Sequence, residues 1–142
     1  MASPAVDVGT GTTIVFGTSS WTAEITDFAH DEITRASIDT TNLATAVAGA
    51  GKIGSRTFIP ADLSDPAGLT INGHFNPDTK PPIEGVAETI TITFPDHGGA
   101  TEATWVFSGF MTGFSYGVPL EDKMTFSAKI KASGNITITS AT

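Results

Sequence analysis

The chain contains no cysteine, which excludes disulfide bracing and thiolate chemistry alike. Charge is scarce too: 15% of the 142 residues, with seven Lys and Arg against fifteen Asp and Glu, a formal net of −8. Nucleic-acid affinity depends on cations that neutralise phosphates, so so few of them, scattered as they are, exclude tight DNA or RNA binding. Passage beside DNA without adhesion is compatible with that balance. No apolar run approaches the ~20 residues of a membrane helix, and no membrane span is predicted. The opening Met1-Ala2-Ser3-Pro4-Ala5-Val6-Asp7 has neither a basic nor an apolar stretch. It therefore predicts no secretory signal and a chain made and kept in a cytoplasm, or in a particle assembled there.

What the sequence has is alternation. Apolar residues reach 39%, and much of the remaining polarity comes from Thr and Ser, which suit half-buried pleated surfaces. Such neutral surfaces are covered by a partner without stranding charge. Period-two patterning predicts strands at Thr12-Thr13-Ile14-Val15-Phe16, at residues 22–28 and at residues 32–38, with His30-Asp31 as a tight link between the last two. Leu69, Ile71, Gly73 and Phe75 alternate with Thr70, Asn72 and His74 in a fourth strand. Ile90, Ile92 and Phe94 alternate with Thr89, Thr91 and Thr93. Pro95-Asp96-His97-Gly98-Gly99 is a turn by composition, and residues 102–110 follow as the partner strand of a hairpin, with Ala103, Trp105 and Phe107 on one face. Met124, Phe126, Ala128 and Ile130 alternate with Thr125, Ser127, Lys129 and Lys131, and Ile136 and Ile138 end the chain in the same rhythm.

Helical signal is weak. The Ala-rich residues 42–48 and the segment between Pro77 and Glu88 hold short helices at most, the second broken by Pro81-Pro82. From Asp39 to about residue 67 no long alternating run exists, and a stretch this long without regular structure is usually functional. It carries apolar Leu43, Val47, Ile53 and Phe58 beside Gly49, Gly51, Lys52, Gly54 and Arg56. We expect one β domain, residues 1–142, with this segment as an arm that orders against a partner.

No constellation points to catalysis. Gly49-x-Gly51-x-x-Gly54 matches the dinucleotide fingerprint by letter, but that motif needs a strand before it and a helix opening at its third glycine. Here Ser55-Arg56-Thr57-Phe58-Ile59-Pro60 follows, an extended segment. Ile53 stands where a P-loop needs Ser or Thr. His30 and His97 have acidic neighbours only at predicted turns, and Asp62 and Asp65 lie in no oxygen-rich loop of calcium-binding density. There is no nucleophile elbow. The expectation is a protein that is not an enzyme and that uses no metal and no cofactor.

The order of features carries a resemblance. A Gly-rich start runs into a strand (Gly9-Thr10-Gly11-Thr12-Thr13-Ile14), then come two strands, the arm, and Leu63-Ser64-Asp65-Pro66-Ala67-Gly68-Leu69-Thr70-Ile71. The hairpin at Pro95-Asp96 follows, and the chain closes through Gly117-Val118-Pro119-Leu120-Glu121-Asp122-Lys123-Met124-Thr125-Phe126-Ser127 and Ser133-Gly134. Along nearly its whole length the chain resembles the tail tube (major tail) proteins of long-tailed, siphovirus-type bacteriophages, which are related to the tube proteins of type VI secretion. The resemblance implies a mainly β fold, a β-sandwich or partly open barrel with at most one short flanking helix. It further implies hexameric rings stacked into a tube that conducts DNA, with the arm reaching the adjacent ring. The implied partners are the chain itself, the tape measure protein, and the tail tip and tail terminator proteins. DNA is met only in transit, and no membrane is involved. The implied location is the virion tail, assembled in the host cytoplasm. Six copies at −8 each carry −48, and Glu24, Asp27, Asp31 and Glu32 are the candidates for facing the lumen. The alternative is a β-sandwich binding module, a carbohydrate-binding or virion decoration domain, which would show exposed aromatics on one flat face.

Overall fold

The computed structural model describes residues 11–43, 53–95 and 101–140. Eight strands follow in chain order: β1 (Thr13–Phe16), β2 (Glu24–His30), β3 (Thr34–Asp39), β4 (Phe58–Asp65), β5 (Gly68–His74), β6 (Glu88–Thr93), β7 (Thr104–Gly117) and β8 (Thr125–Thr139). No helix occurs among the described residues. Two units result: Glu32–Asp65, and the chain on either side of it.

In the larger unit six strands form one antiparallel sheet in the order β1-β6-β7-β8-β5-β2. Strands consecutive in the chain, β1 and β2, thus stand at opposite edges. Five interstrand steps of about 4.8 Å would separate them by about 24 Å in a flat sheet. The seven residues 17–23 that join them cannot run fully extended, because the Ser20 amide turns back onto the Phe16 carbonyl at 3.2 Å and Ser20 sits at φ 52°. The sheet therefore curls into a half-barrel, with the link crossing inside the curl. β7 and β8 make this possible. They are long enough to serve both halves, and register shifts between Val106 and Ser108 and between Met111 and Gly113 let their pairing bend.

The core lies on the inside of the curl. Leu69, Ile71, Ile90, Ile92, Phe107, Met111, Phe126, Ala128 and Ile130 are buried there, on the inward-facing sides of four strands, β5 to β8. Trp21, from the crossing link, packs edge-on against Phe16 at 5.3 Å, Phe126 at 5.7 Å and Phe114 at 6.4 Å. Glu88 holds the same link in place. It is buried, and its Oε1 accepts from the amides of Thr18 and Ser19 and from the Ser19 hydroxyl at 3.0–3.1 Å. At Gly73 a side chain would collide with the Glu24 carbonyl and the Phe126 ring, so glycine is what lets β2 close on β5.

The smaller unit is a two-stranded antiparallel hairpin, β3 with β4. Its strands are exposed along nearly their whole length.

Several strand expectations need correction. β2 runs on to His30 and pairs with β5, not with β3; the His30-Asp31 link is no tight turn between partners. The Asp31 amide instead donates to the Gly68 carbonyl at 2.7 Å, carrying β2–β5 pairing to the point where the chain leaves the sheet. Phe58–Asp65, read as irregular, is β4. Its alternation was masked by Pro60 and by the register shift opposite Arg35 and Ser37. Neither expected helix is found among the described residues; residues 44–48 lie outside them. Between β5 and β6 the chain makes turns: the Asp78 amide donates to the Asn76 side chain and the Ile83 amide to the Pro81 carbonyl. Asn76 competes for the backbone and Pro81-Pro82 removes two donors.

The Glu88 clamp predicts a graded loss. Glu88→Ala leaves two inward-turned amides without an acceptor and is expected to cost about 2–3 kcal/mol, while Glu88→Gln, which keeps one carbonyl oxygen, loses clearly less. Urea unfolding of the two variants checks this.

Candidate assembly surfaces

The curled sheet does not close. Among the described residues β1 pairs only with β6 and β2 only with β5, so within them each presents an unpaired backbone edge. Such edges invite another chain unless they are short, bulged or charged. β1 has four residues, and β2 has a bulge between Ile25 and Asp27 and the acids Glu24 and Asp27.

The candidate lumen residues fall in two groups. Glu24 and Asp27 stand on the outer face of β2, opposite His74 and Asn72. Asp27 accepts from the Thr26 hydroxyl and the Asn72 side-chain amide, each at 3.3 Å. Asp31 and Glu32 follow the end of β2 and are exposed. Strand register adds residues that sequence reading had not joined to this face. Thr70 pairs with Lys129 and Gly68 with Lys131, placing both lysines on the sheet face of Glu24 and Asp27. The period-two signal along β8 was visible; that β8 and β2 both flank β5 was not. A second stretch of outer face has no charge at all. Thr13, Thr93, Thr104 and Thr139 lie in one row across four strands, with Val15, Thr91, Val106 and Thr137 in the next.

The arm candidates divide likewise. Val47, Gly49, Gly51 and Lys52 lie outside the described residues. Leu43, Ile53, Gly54, Arg56 and Phe58 are exposed, at or beyond the distal end of the hairpin. There the strands are held together past their last ladder pair. The Thr40 amide donates to the Thr57 carbonyl at 2.9 Å, the Thr57 amide to the Thr41 hydroxyl at 2.8 Å, and Arg56 pairs with Asp39 at 2.9 Å. The hydroxyl and then the amide of Thr41, with Arg56 adding to them, hold the Asp39 carboxyl below its usual range. Ile38 faces Ile59 across the ladder, and Leu63, on the Ile59 side of β4, is 84% exposed. A lone two-stranded hairpin is marginal in water, and this one shows its apolar side to solvent.

Exposed aromatics do not gather. Phe110 pairs with Lys131 on the outer face and Tyr116 with Phe126 on the inner, so among the described residues these two build no common flat platform of the kind a binding module would use. His30, on the core side of β2, spends its Nε2 on the Pro66 carbonyl at 2.8 Å and packs edge-on against Trp105 and Phe107. Among the described residues the chain after Gly54 runs through 55–57 without regular structure into β4, where a nucleotide fingerprint needs a helix.

Solved structures with the same arrangement decide the fold. A chain in the tail of an empty gene transfer agent particle, of C6 symmetry, superposes with a TM-score of 0.65 over 95% of this chain and 100% of that chain, at 14% identity. The fold is a phage-tail fold. A chain of the native gene transfer agent virion gives 0.64 at 14% identity, again over 95% and 100%. A chain of the six-fold symmetrised anti-feeding prophage baseplate gives 0.60 at 9%, over 99% and 98%. No family model matches the sequence, and no curated protein does. The expected mainly β fold, with at most one short flanking helix, is thus found as this tail fold, and no helix occurs among the described residues.

The ionic closure of the hairpin end has a defined pH sign. Because the folded-state value of Asp39 is depressed, its contribution is complete at neutral pH and is lost as the pH falls through that depressed value. Amide chemical shifts of Thr41 and Thr57 are expected to titrate together on the acid side of the ordinary carboxylate range, and Asp39→Asn to abolish that transition.

Proposed function

We propose that the chain is a structural subunit of a phage-type tail, polymerising as stacked hexameric rings into the tube through which DNA is ejected into the host. The observation that carries this reading is the tail fold itself, extending over 95–99% of the chain and shared with chains of particles of C6 or six-fold symmetry. Two features of the chain fit it. Open edges on β1 and β2 of one curled sheet let each copy add to the next edge to edge, so that a closed ring leaves no unpaired strand. The hairpin, exposed and with an uncovered apolar side, suits the arm that reaches an adjacent ring. Such a subunit works by geometry and not by catalysis.

On this reading the wall is a poor adhesive for DNA. The chain's −8 disfavours lasting phosphate contact overall, and Glu24 and Asp27, with Asp31 and Glu32 beside them, are the residues we assign to the lumen, four acids against Lys129 and Lys131 of the Glu24 face. The tape measure protein would occupy the bore before ejection, and the tail tip and terminator proteins would cap the two open ends. The tail is the site of action, and the host cytoplasm the site of assembly.

Electron microscopy of concentrated purified protein is expected to show rings or tubes; a steady monomer at every concentration would contradict the proposal. Deleting residues 46–55 is expected to leave circular dichroism unchanged, because the Thr40–Thr57 and Asp39–Arg56 contacts close the hairpin below the deletion. It should also abolish stacking, read by sedimentation, and tubes of normal length from the deleted chain would remove the arm from the mechanism.

A further inference from the structure

Of the four asparagines in the chain, Asn42, Asn72, Asn76 and Asn135, Asn72 alone precedes a glycine. An Asn-Gly pair is the asparagine dipeptide most open to spontaneous ring closure. Glycine carries no side chain to shield its amide nitrogen, and it leaves the backbone free to turn. Leu43 and the β-branched Ile136 crowd the amides that follow Asn42 and Asn135, and Pro77 has no amide proton to lose. Both members of the pair are fixed by the sheet. Position 73 admits no side chain beside the Glu24 carbonyl and the Phe126 ring, and the Asn72 side-chain amide donates to Asp27 Oδ2 at 3.3 Å. The fold thus requires a reactive pair at this point of β5.

The β2–β5 ladder is interrupted at the same point. β2 is an edge strand, held among the described residues by β5 alone. Ile25 faces Gly73 and Asp27 faces Asn72, so Thr26 bulges out without a ladder partner, and its hydroxyl donates to the Asn72 carbonyl at 3.2 Å. An open cleft of about 320 Å³, bounded in part by Thr26, Asn72, Gly73 and Ser127, brings water to the pair. We propose that Asn72–Gly73 is a site of spontaneous deamidation held in check by the pairing of β2 with β5. The Gly73 amide nitrogen gives its proton to base and attacks Asn72 Cγ. The Cγ–Nδ2 bond breaks and ammonia leaves, and water then opens the succinimide at either carbonyl to leave Asp or isoaspartate at position 72. Ring closure needs the Asn72 ψ to swing well away from the about +135° of an antiparallel strand, a rotation that pairing with β2 and β8 forbids. The reaction therefore waits for local opening, which begins at the edge strand.

Either product harms the same ladder. A carboxylate at position 72 faces Asp27 where a donor stood, with Glu24 further along the same face and Lys129 offsetting it only from a diagonal position on β8. Isoaspartate also inserts a backbone carbon ahead of Gly73, which moves residue 73 off the one place where β2 can close. A converted chain no longer presents an ordered β2 edge, and the change is irreversible. This inference rests on the fold and not on the tail reading.

Peptide mapping by mass spectrometry tests it on the full chain, incubated at mildly alkaline pH in buffer and in urea. Asn72 is expected to convert in urea while Asn42, Asn76 and Asn135 persist, and to convert ~100-fold or more slowly in the folded protein. Asp27→Ala, which removes the acceptor of the Asn72 amide, is expected to speed conversion in buffer and to leave the rate in urea unchanged. Thr26→Val is the second variant, should the first fail to fold. The converted chain, separated by its extra negative charge and refolded, is expected to exchange its β2 amides faster than the unconverted chain. Equal rates in buffer and urea would overturn the proposal, as would an Asn72 that persists in urea or a converted chain whose β2 amides are protected as before.

Discussion

Seven residues must carry the chain from one edge of a six-stranded sheet to the other, and most of the larger unit follows from that constraint. A flat sheet puts its edges too far apart for a link that also has to turn, so the sheet curls. Curling makes an inside, and the link crosses it. Trp21 then fills the space between Phe16, Phe114 and Phe126, and Glu88 supplies the acceptor that two inward-turned amides need. A buried carboxylate is costly unless it is fully engaged; here three donors meet one oxygen. The curl also decides what is left over. Among the described residues both edges stay open, because β1 and β2, the first two strands of the fold, stand at its margins.

Strand existence was legible where side chains alternate against a single core. β5, β6 and the first parts of β7 and β8 sit close to where period two places them, because one side of each faces the buried interior. Legibility failed where both faces are exposed. β4 has Pro60 in it, a register shift opposite it and solvent on both sides, so no burial pattern was imposed on its residues. The His30-Asp31 link failed for another reason: adjacency in sequence suggested a hairpin, but β2 was claimed by β5, which fits it through Gly73. The site residues divide along the same line. Glu24 lies where period two puts a solvent-facing residue, but Asp27 reaches the same face only through the bulge between Ile25 and Asp27, and the company of Lys129 and Lys131 there needed strand order, which no local period encodes.

That company changes the electrostatic picture of the outer face. Although the chain as a whole is strongly acidic, the stretch across β2, β5 and β8 carries two lysines as well as two acids, while the stretch across β1, β6, β7 and the end of β8 is a grid of threonine and valine without charge. The two stretches differ in what they tolerate against them. A neutral hydroxyl and β-branched surface loses little when another protein covers it. A surface of mixed charge resists dehydration and stays wet. One sheet thus has a side suited to burial and a side suited to a channel.

The brevity of β1 has a kinetic meaning within the proposed assembly. Four residues on an edge offer at most a handful of backbone bonds to a neighbour, each contributing about 1 kcal/mol net, against an entropic penalty for association of several kcal/mol. A pair of subunits joined along that seam alone would fall apart. A subunit arriving where it touches two others at once keeps its hold. In such an assembly growth would be fast on an existing end and slow from nothing, so free subunits would wait in solution until a complete ring was offered to them.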